Sequence, residues 1–157
     1  KSFASKGGQV LGICNGFQIL CEAGLLPGAL IRNDCLEFRC INQKVAIEKS
    51  NDRFNPEKCG DQLSLPIAHG EGNYRLKEAA LEKLESNGQV LLRYIGNPNG
   101  SINDIAGIRN EEGNVYGMMP HPERAVESHH PSRDGLPILK AFLEPILTRS
   151  SVEISAS

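Results

Sequence analysis

The chain has 157 residues, 39% of them hydrophobic and 23% charged, with a formal net charge of −2. This length and balance suit one globular domain with a buried core, and Lys and Arg scattered along the chain leave no basic patch for nucleic acid or an anionic membrane. No apolar run reaches the roughly 20 residues that span a bilayer, and the N-terminus lacks the basic-then-apolar pattern of a signal peptide, so a cytoplasmic protein with a small-molecule or protein partner is expected.

In chain order, Lys1 to Lys6 with Gly7 and Gly8 read as the end of a helix and its glycine stop. The opening residue is not Met, and a segment upstream is expected. Gln9 to Ile13 is a short apolar run that suits a strand buried on both faces, and Gly16 to Ala23 reads as a helix closed by Gly24. Residues 27 to 66 alternate apolar and polar positions among turn formers, with strands expected at Phe38 to Ile41 and Lys44 to Ile47. Leu65 to Ala68 leads into the glycine-interrupted loop His69 to Tyr74, and loops after strands commonly carry function. Leu76, Ala79, Ala80 and Leu84 lie at helical spacing, so Arg75 to Asn87 is an expected amphipathic helix with Gly88 as its stop.

Gln89 to Ile95 returns to strand, and Gly96 to Asp104 is all turn chemistry. Ile105 to Arg109 and Val115 to Met119 flank the turn Glu112-Gly113-Asn114 as a hairpin. Leu136 to Leu147 has one apolar face and makes a last helix, with a Ser-rich tail after Arg149. The expected organisation is therefore one domain over residues 1–149 and a flexible tail over 150–157. Five cysteines form an odd set without a CxxC pair, which favours reduced thiols over a disulfide framework and gives no metal site.

Gly12-Ile13-Cys14-Asn15-Gly16 has the layout of a nucleophile elbow with cysteine as the nucleophile. In such a strained strand-to-helix turn, small residues are required two before and two after the nucleophile. The helix N-terminus favours thiolate, which is the reactive species. The same five residues also fit a cysteine simply buried between a strand and a helix.

A cysteine nucleophile needs a base, and the base needs an orienting group. Of the four histidines, His129 and His130 fall in a polar loop and are expected to be solvated; His69 lies in the glycine loop; His121 ends a strand with Glu123 two residues on. Residues two apart in extended chain point the same way, so Glu123 can accept the imidazole N–H and leave the other nitrogen basic. Met119-Pro-His-Pro-Glu123 is alternatively a rigid proline turn with exposed side chains.

Taken together, Gly12-Ile-Cys14-Asn-Gly16-Phe-Gln18 and His121-Pro-Glu123 resemble the Cys–His–Glu triad of the class I glutamine amidotransferases. Further blocks, Ala68-His-Gly-Glu-Gly-Asn73, Asn97-Pro-Asn-Gly-Ser101, Ile105-Ala-Gly107 and Gly117-Met-Met-Pro-His-Pro-Glu-Arg124, are similar to those of the glutaminase subunits of phosphoribosylformylglycinamidine synthases. The resemblance implies Cys14 as nucleophile on the amide of L-glutamine, His121 as proton shuttle and Glu123 as its orienter. It implies that the Asn15 backbone N–H supplies an oxyanion donor and that Gln18, His69 and Gly70 hold the substrate, although Gln18 also suits a helix surface and His69 a partner contact.

The partner implied is a synthetase subunit that uses ATP and magnesium to make formylglycinamidine ribonucleotide in purine biosynthesis, with a possible small accessory subunit. No cofactor is expected in this chain, which carries no Gly-Lys-Ser or Gly-Lys-Thr phosphate loop.

The fold implied is an α/β three-layer sandwich, flavodoxin-like, with a mostly parallel central sheet and Cys14 at the carboxyl ends of its strands. Its first strands, and a Pro-Gly-Gly loop that completes the oxyanion hole in the family, are expected upstream of Lys1. Two other readings remain at this stage. The same triad logic serves a cysteine peptidase or related hydrolase, and a catalytically silent docking subunit needs no triad at all.

Overall fold

The computed structural model describes residues 1–49 and 53–144. The elements in chain order are α1 (Ser2–Ser5), β1 (Val10–Ile13), α2 (Asn15–Glu22), β2 (Ala29–Ile31), β3 (Arg39–Ile47), α3 (Pro56–Cys59), β4 (Gln62–His69), β5 (Asn73–Arg75), α4 (Glu78–Ser86), β6 (Val90–Tyr94), β7 (Ile105–Arg109) and β8 (Val115–Met118). A last helix, α5, covers residues 135–144. Its expected continuation to Leu147 and the tail over 150–157 lie outside the described residues.

Six strands form one sheet in the order β1-β8-β7-β6-β3-β4, and β2 pairs with β5 in a separate ribbon. The α/β class is as expected, but the mostly parallel sheet is not. Among the described residues only β1 and β8 run parallel, in the register Ile13↔Met118, whereas the other neighbours in the sheet are antiparallel. Part of the difference follows from the connections: parallel neighbours need a crossover of a dozen or more residues, and the five residues between β7 and β8 and the ten between β6 and β7 fall short of it, so these pairs return antiparallel.

The two expected strands Phe38 to Ile41 and Lys44 to Ile47 are one strand, β3. Its polar centre, Asn42 and Gln43, stays in the ladder because β4 pairs with it from Arg39↔His69 to Ala46↔Gln62. Pairing along the whole length outweighs the local turn propensity of Asn42. The α3 turn was hidden among turn formers; Asn55 caps it by accepting from the Lys58 N–H at 2.9 Å.

The core gathers Leu65, Ile67, Leu91, Leu92, Ile105, Ile108 and Met118, each essentially solvent-free. Phe17 of α2 is fully buried and stacks on Tyr74, with ring centroids 5.7 Å apart and planes inclined by 23°. The Tyr74 hydroxyl donates to the Pro27 carbonyl at 2.8 Å. Gly117 on β8 makes room for this packing: a Cβ there would strike the Phe17 ring and the Leu26 side chain. β4 lies at the edge of the sheet, where Pro66 removes no needed ladder donor. Its outer side is covered at Ser64, whose N–H donates to Asp134 at 2.7 Å and whose carbonyl accepts from the Ser132 hydroxyl at 2.6 Å.

Ile41 and Ile67 face each other across β3 and β4, yet Ile41 is 46% exposed and Ile67 is fully buried. Ile67→Ala is expected to cost about 2–5 kcal/mol in urea denaturation. Ile41→Ala, beyond the reach of β6, should cost only about 0.5 kcal/mol.

Candidate active site

Because β1 and β8 are parallel and in register, both chains leave the sheet at the same end. Cys14 follows directly on β1 and donates its N–H to the Met118 carbonyl at 2.8 Å. His121 comes three residues after β8, and its N–H donates to the Pro66 carbonyl of β4 at 2.8 Å. A parallel pair and an edge carbonyl thus bring together two residues far apart in sequence.

Cys14 sits at the start of α2 with φ 54° and ψ −109°. A left-handed φ on a residue with a Cβ costs about 1–3 kcal/mol, and such strain concentrates at functional sites. The elbow needs its first glycine. A Cβ on Gly12 would lie 2.5 Å from a Leu20 methyl and 2.7 Å from the Gly16 backbone carbonyl. The expectation that the second glycine is also sterically required is corrected, since a Cβ on Gly16 would meet nothing within 4 Å. What Gly12 must admit is the backbone of residue 16, whatever side chain that residue carries. Cys14 is 9% exposed, and its thiol lies 3.8 Å from the Ala68 carbonyl.

His121 is buried and its Nδ1 is 2.6 Å from Glu123 Oε1. Its other nitrogen, Nε2, is buried with no hydrogen-bond partner among the described residues. The ring is pushed up from 6.5 to about 9, first by the neighbouring Cys14 sulfur and then by the Glu123 carboxylate. Burial opposes ionisation of Glu123, but its hydrogen bond to His121 prevails and holds the carboxyl below its ordinary 4.5. The three side chains are therefore coupled, with Glu123 behind the imidazole and Cys14 in front of it.

These groups open on a cavity of about 470 Å³, within the range of small-molecule sites. Cys14, Asn15, Gln18, His69, Gly70 and His121 all line it; Glu123, behind the ring, does not. At the start of α2 the Phe17 N–H already donates to the Cys14 carbonyl at 3.0 Å, whereas the Asn15 amide comes too early in the helix for an intrahelical acceptor and is available to an anion. Gln18 is drawn into the site, its Nε2 donating to the Glu71 carbonyl at 3.1 Å. His69 is buried, which leaves little of it for a partner surface. Burial, then the neighbouring His121, pushes its ring down to about 4. Of the two histidines expected to be solvated, His129 is exposed, but His130 is not free: its Nδ1 accepts from the N–H groups of Val126 and Glu127, each at 3.1 Å.

Sequence reasoning missed the supports of the His69–Tyr74 loop. Asn33, wholly buried, donates to the His69 carbonyl at 2.9 Å and accepts from the Gly72 N–H at 2.9 Å. Asn99 and Ser101 both donate to the Gly72 carbonyl, at 2.8 and 3.1 Å. The Asn97–Ser101 block was a visible signal for the second pair. Nothing in the sequence around Asn33 marks it.

Gly12→Ala should destabilise by about 1–3 kcal/mol or more, because backbone and not a flexible tip stands in the way. Gly16→Ala should instead be neutral or stabilising by up to about 1 kcal/mol. Equilibrium urea unfolding of the two variants checks the asymmetry.

Residues 1–135 match the model of the CobB/CobQ-like glutamine amidotransferase domain. The phosphoribosylformylglycinamidine synthase subunit PurQ of Synechococcus elongatus is 58% identical over 146 residues, covering 92% of this chain and 66% of that protein. The PurQ protein of Lacticaseibacillus casei is 56% identical over 144 residues, covering 91% and 63%. The chain thus spans slightly less than two thirds of the length of these relatives. A chain in the structure of PurLQS from Thermotoga maritima superposes with a TM-score of 0.81 at 39% identity, over 92% of this chain and 65% of that one. The match of a family model over residues 1–135 establishes that this chain belongs to the CobB/CobQ-like glutamine amidotransferase domain family.

Proposed function

We propose that this chain is the glutaminase part of a phosphoribosylformylglycinamidine synthase. It hydrolyses L-glutamine to glutamate and ammonia, and the ammonia serves an ATP-dependent synthetase subunit that converts formylglycinamide ribonucleotide to formylglycinamidine ribonucleotide. The observation that carries this reading is the Glu123–His121–Cys14 arrangement at a cavity that Gln18, His69 and Gly70 also line. The likeness to PurQ proteins and to a chain of PurLQS supports the substrate and the synthetase partner. In this reading residues 1–149 form the amidotransferase domain and 150–157 a tail. A cytoplasmic place suits the five free cysteines.

The chemistry follows from the charges. The Cys14 sulfur, as thiolate, attacks the carboxamide carbon of glutamine, and the Asn15 N–H stabilises the oxyanion that forms. His121, protonated through neutral pH, gives its proton to the departing amine, which leaves as ammonia. The neutral imidazole then takes a proton from water, and the resulting hydroxide opens the glutamyl thioester. Glutamate leaves, and Cys14 and the protonated His121 are restored. Glu123 holds Nδ1–H throughout, which keeps Nε2 as the working nitrogen.

Ammonia release from L-glutamine, measured with and without the synthetase, tests the reading. Cys14→Ala is expected to abolish it, and undiminished release from that variant would end the proposal. Because the partners of His121 raise its pKa to about 9, activity should fall as pH rises through that value. Glu123→Gln should move this fall to lower pH and reduce kcat by a factor on the order of 100 or more.

The same coupling sets a stability window. The raised His121 pKa contributes stability that is complete below 6.5 and lost as pH rises through about 9. The lowered Glu123 pKa contributes stability that is complete above 4.5 and lost as pH falls through its depressed value. The stability gap between the wild-type chain and Glu123→Gln should therefore be widest between these limits in pH-dependent denaturation.

A further inference from the structure

The second histidine of the cavity carries a proton arrangement that the structure fixes without reference to His121. The Asn33 side-chain amide meets three backbone groups of known role. Its Nδ2 donates to the Glu37 carbonyl at 2.8 Å and to the His69 carbonyl at 2.9 Å, and its Oδ1 accepts from the Gly72 N–H at 2.9 Å. Carbonyls only accept and N–H groups only donate, so the amide has one permitted orientation. The remaining contact runs from Asn33 Oδ1 to His69 Nδ1 at 3.2 Å. Since Oδ1 can only accept, Nδ1 must carry a hydrogen.

In a neutral ring the other nitrogen is then bare. His69 Nε2 is buried and has no partner among the described residues. Neutrality is favoured by burial and by the nearby His121, which bears the charge in this cavity. The ring also lies so close over Gly72 that a Cβ at position 72 would overlap it, so it has little freedom to flip. A buried acceptor with no donor is costly. In a cavity that binds a ligand, the donor it lacks is the ligand's.

We infer that Asn33 is a positioning residue that holds the proton of His69 on Nδ1, so that Nε2 accepts a hydrogen bond from an N–H of the bound substrate. This rests on the glutaminase reading for the identity of the substrate, not for the tautomer. Glutamine offers two such donors, its carboxamide NH₂ and its α-ammonium group, whereas the product glutamate keeps only the second. A carboxamide contact would make His69 a discriminator between substrate and product.

The test is nitrogen NMR on the 157-residue chain, ¹⁵N-labelled at histidine, as the Cys14→Ser variant to prevent turnover. The ligand-free spectrum should show a pyrrole-type Nδ1 and a pyridine-type Nε2 for His69, without titration between about pH 5 and 8. A protonated Nε2, or titration near the ordinary value, overturns the inference. Added L-glutamine should move the Nε2 signal toward the hydrogen-bonded position. If glutamate moves it equally, the α-ammonium is the donor; if only glutamine does, the carboxamide is.

Glutamine that perturbs Gln18 and Gly70 but leaves Nε2 unmoved overturns the substrate contact and spares the glutaminase reading. Glutamine that perturbs no cavity residue overturns both, and the tautomer is still judged on the ligand-free spectrum. In Asn33→Asp the carboxylate should favour a protonated ring. KM for glutamine, assayed with the synthetase, should then rise about 2- to 10-fold toward acid pH while kcat holds. An equal loss of both at every pH would mark a merely structural role. If that variant does not fold, the wild-type tautomer decides.

Discussion

The pairing of β1 with β8 is the constraint on which the candidate site depends. It is the single parallel ladder of the main sheet among the described residues, and its register sets Ile13 beside Met118, so Cys14 and the segment ending at His121 emerge at one end of the strands. Antiparallel pairing of the same strands would send them to opposite ends. Two glycines let α2 lie close enough to exploit this arrangement. Gly12 admits the backbone of residue 16, and Gly117 admits the Phe17 ring. The strain at Cys14 is sustained because the packing of Phe17 on Tyr74 and the hydrogen bond from Cys14 N–H to the Met118 carbonyl leave the turn no relaxed alternative.

Two histidines share one cavity and are driven in opposite directions. His121 has a sulfur before it and a carboxylate behind it, so the charged form is favoured; His69 has an amide oxygen on Nδ1, burial around it and a cationic neighbour, so the neutral form is favoured. Opposed environments of this kind are how one fold assigns an acid and an acceptor at a single pH. Both rings carry a hydrogen on Nδ1, one held by Glu123 and the other by Asn33. The difference in charge between those two oxygens is what separates the roles.

The loop from His69 to Tyr74 owes its shape to buried amides. Asn33 reaches it from the end of β2, while Asn99 and Ser101 reach it from the turn before β7. Each satisfies backbone groups that no ladder serves, which is the condition for burying an irregular segment at all. Gln18 closes the same loop from the helix side through Glu71. The walls of the cavity are thus set by polar groups on three separate stretches of chain.

The sequence by itself determined the elements of the site. Glycines around Cys14 announce an elbow, because a tight turn leaves few residue types that fit. His121 and Glu123 announce a coupled pair, because two residues apart in extended chain share a side. The strand positions were legible for the same local reason, as was the β7–β8 hairpin from its glycine turn. Which strands pair was not legible, and the expected parallel sheet proved mixed, since pairing is decided between segments distant in sequence. Likewise β3 runs through a polar centre that local propensity breaks. Asn33 shows the limit most plainly: an asparagine outside any pattern acquires a role only when the fold carries His69, Gly72 and Glu37 to its four hydrogen-bonding positions. Chemistry that resides in a residue and its near neighbours can be read along the chain, whereas a proton's location depends on which distant groups the tertiary structure brings within 3 Å or so.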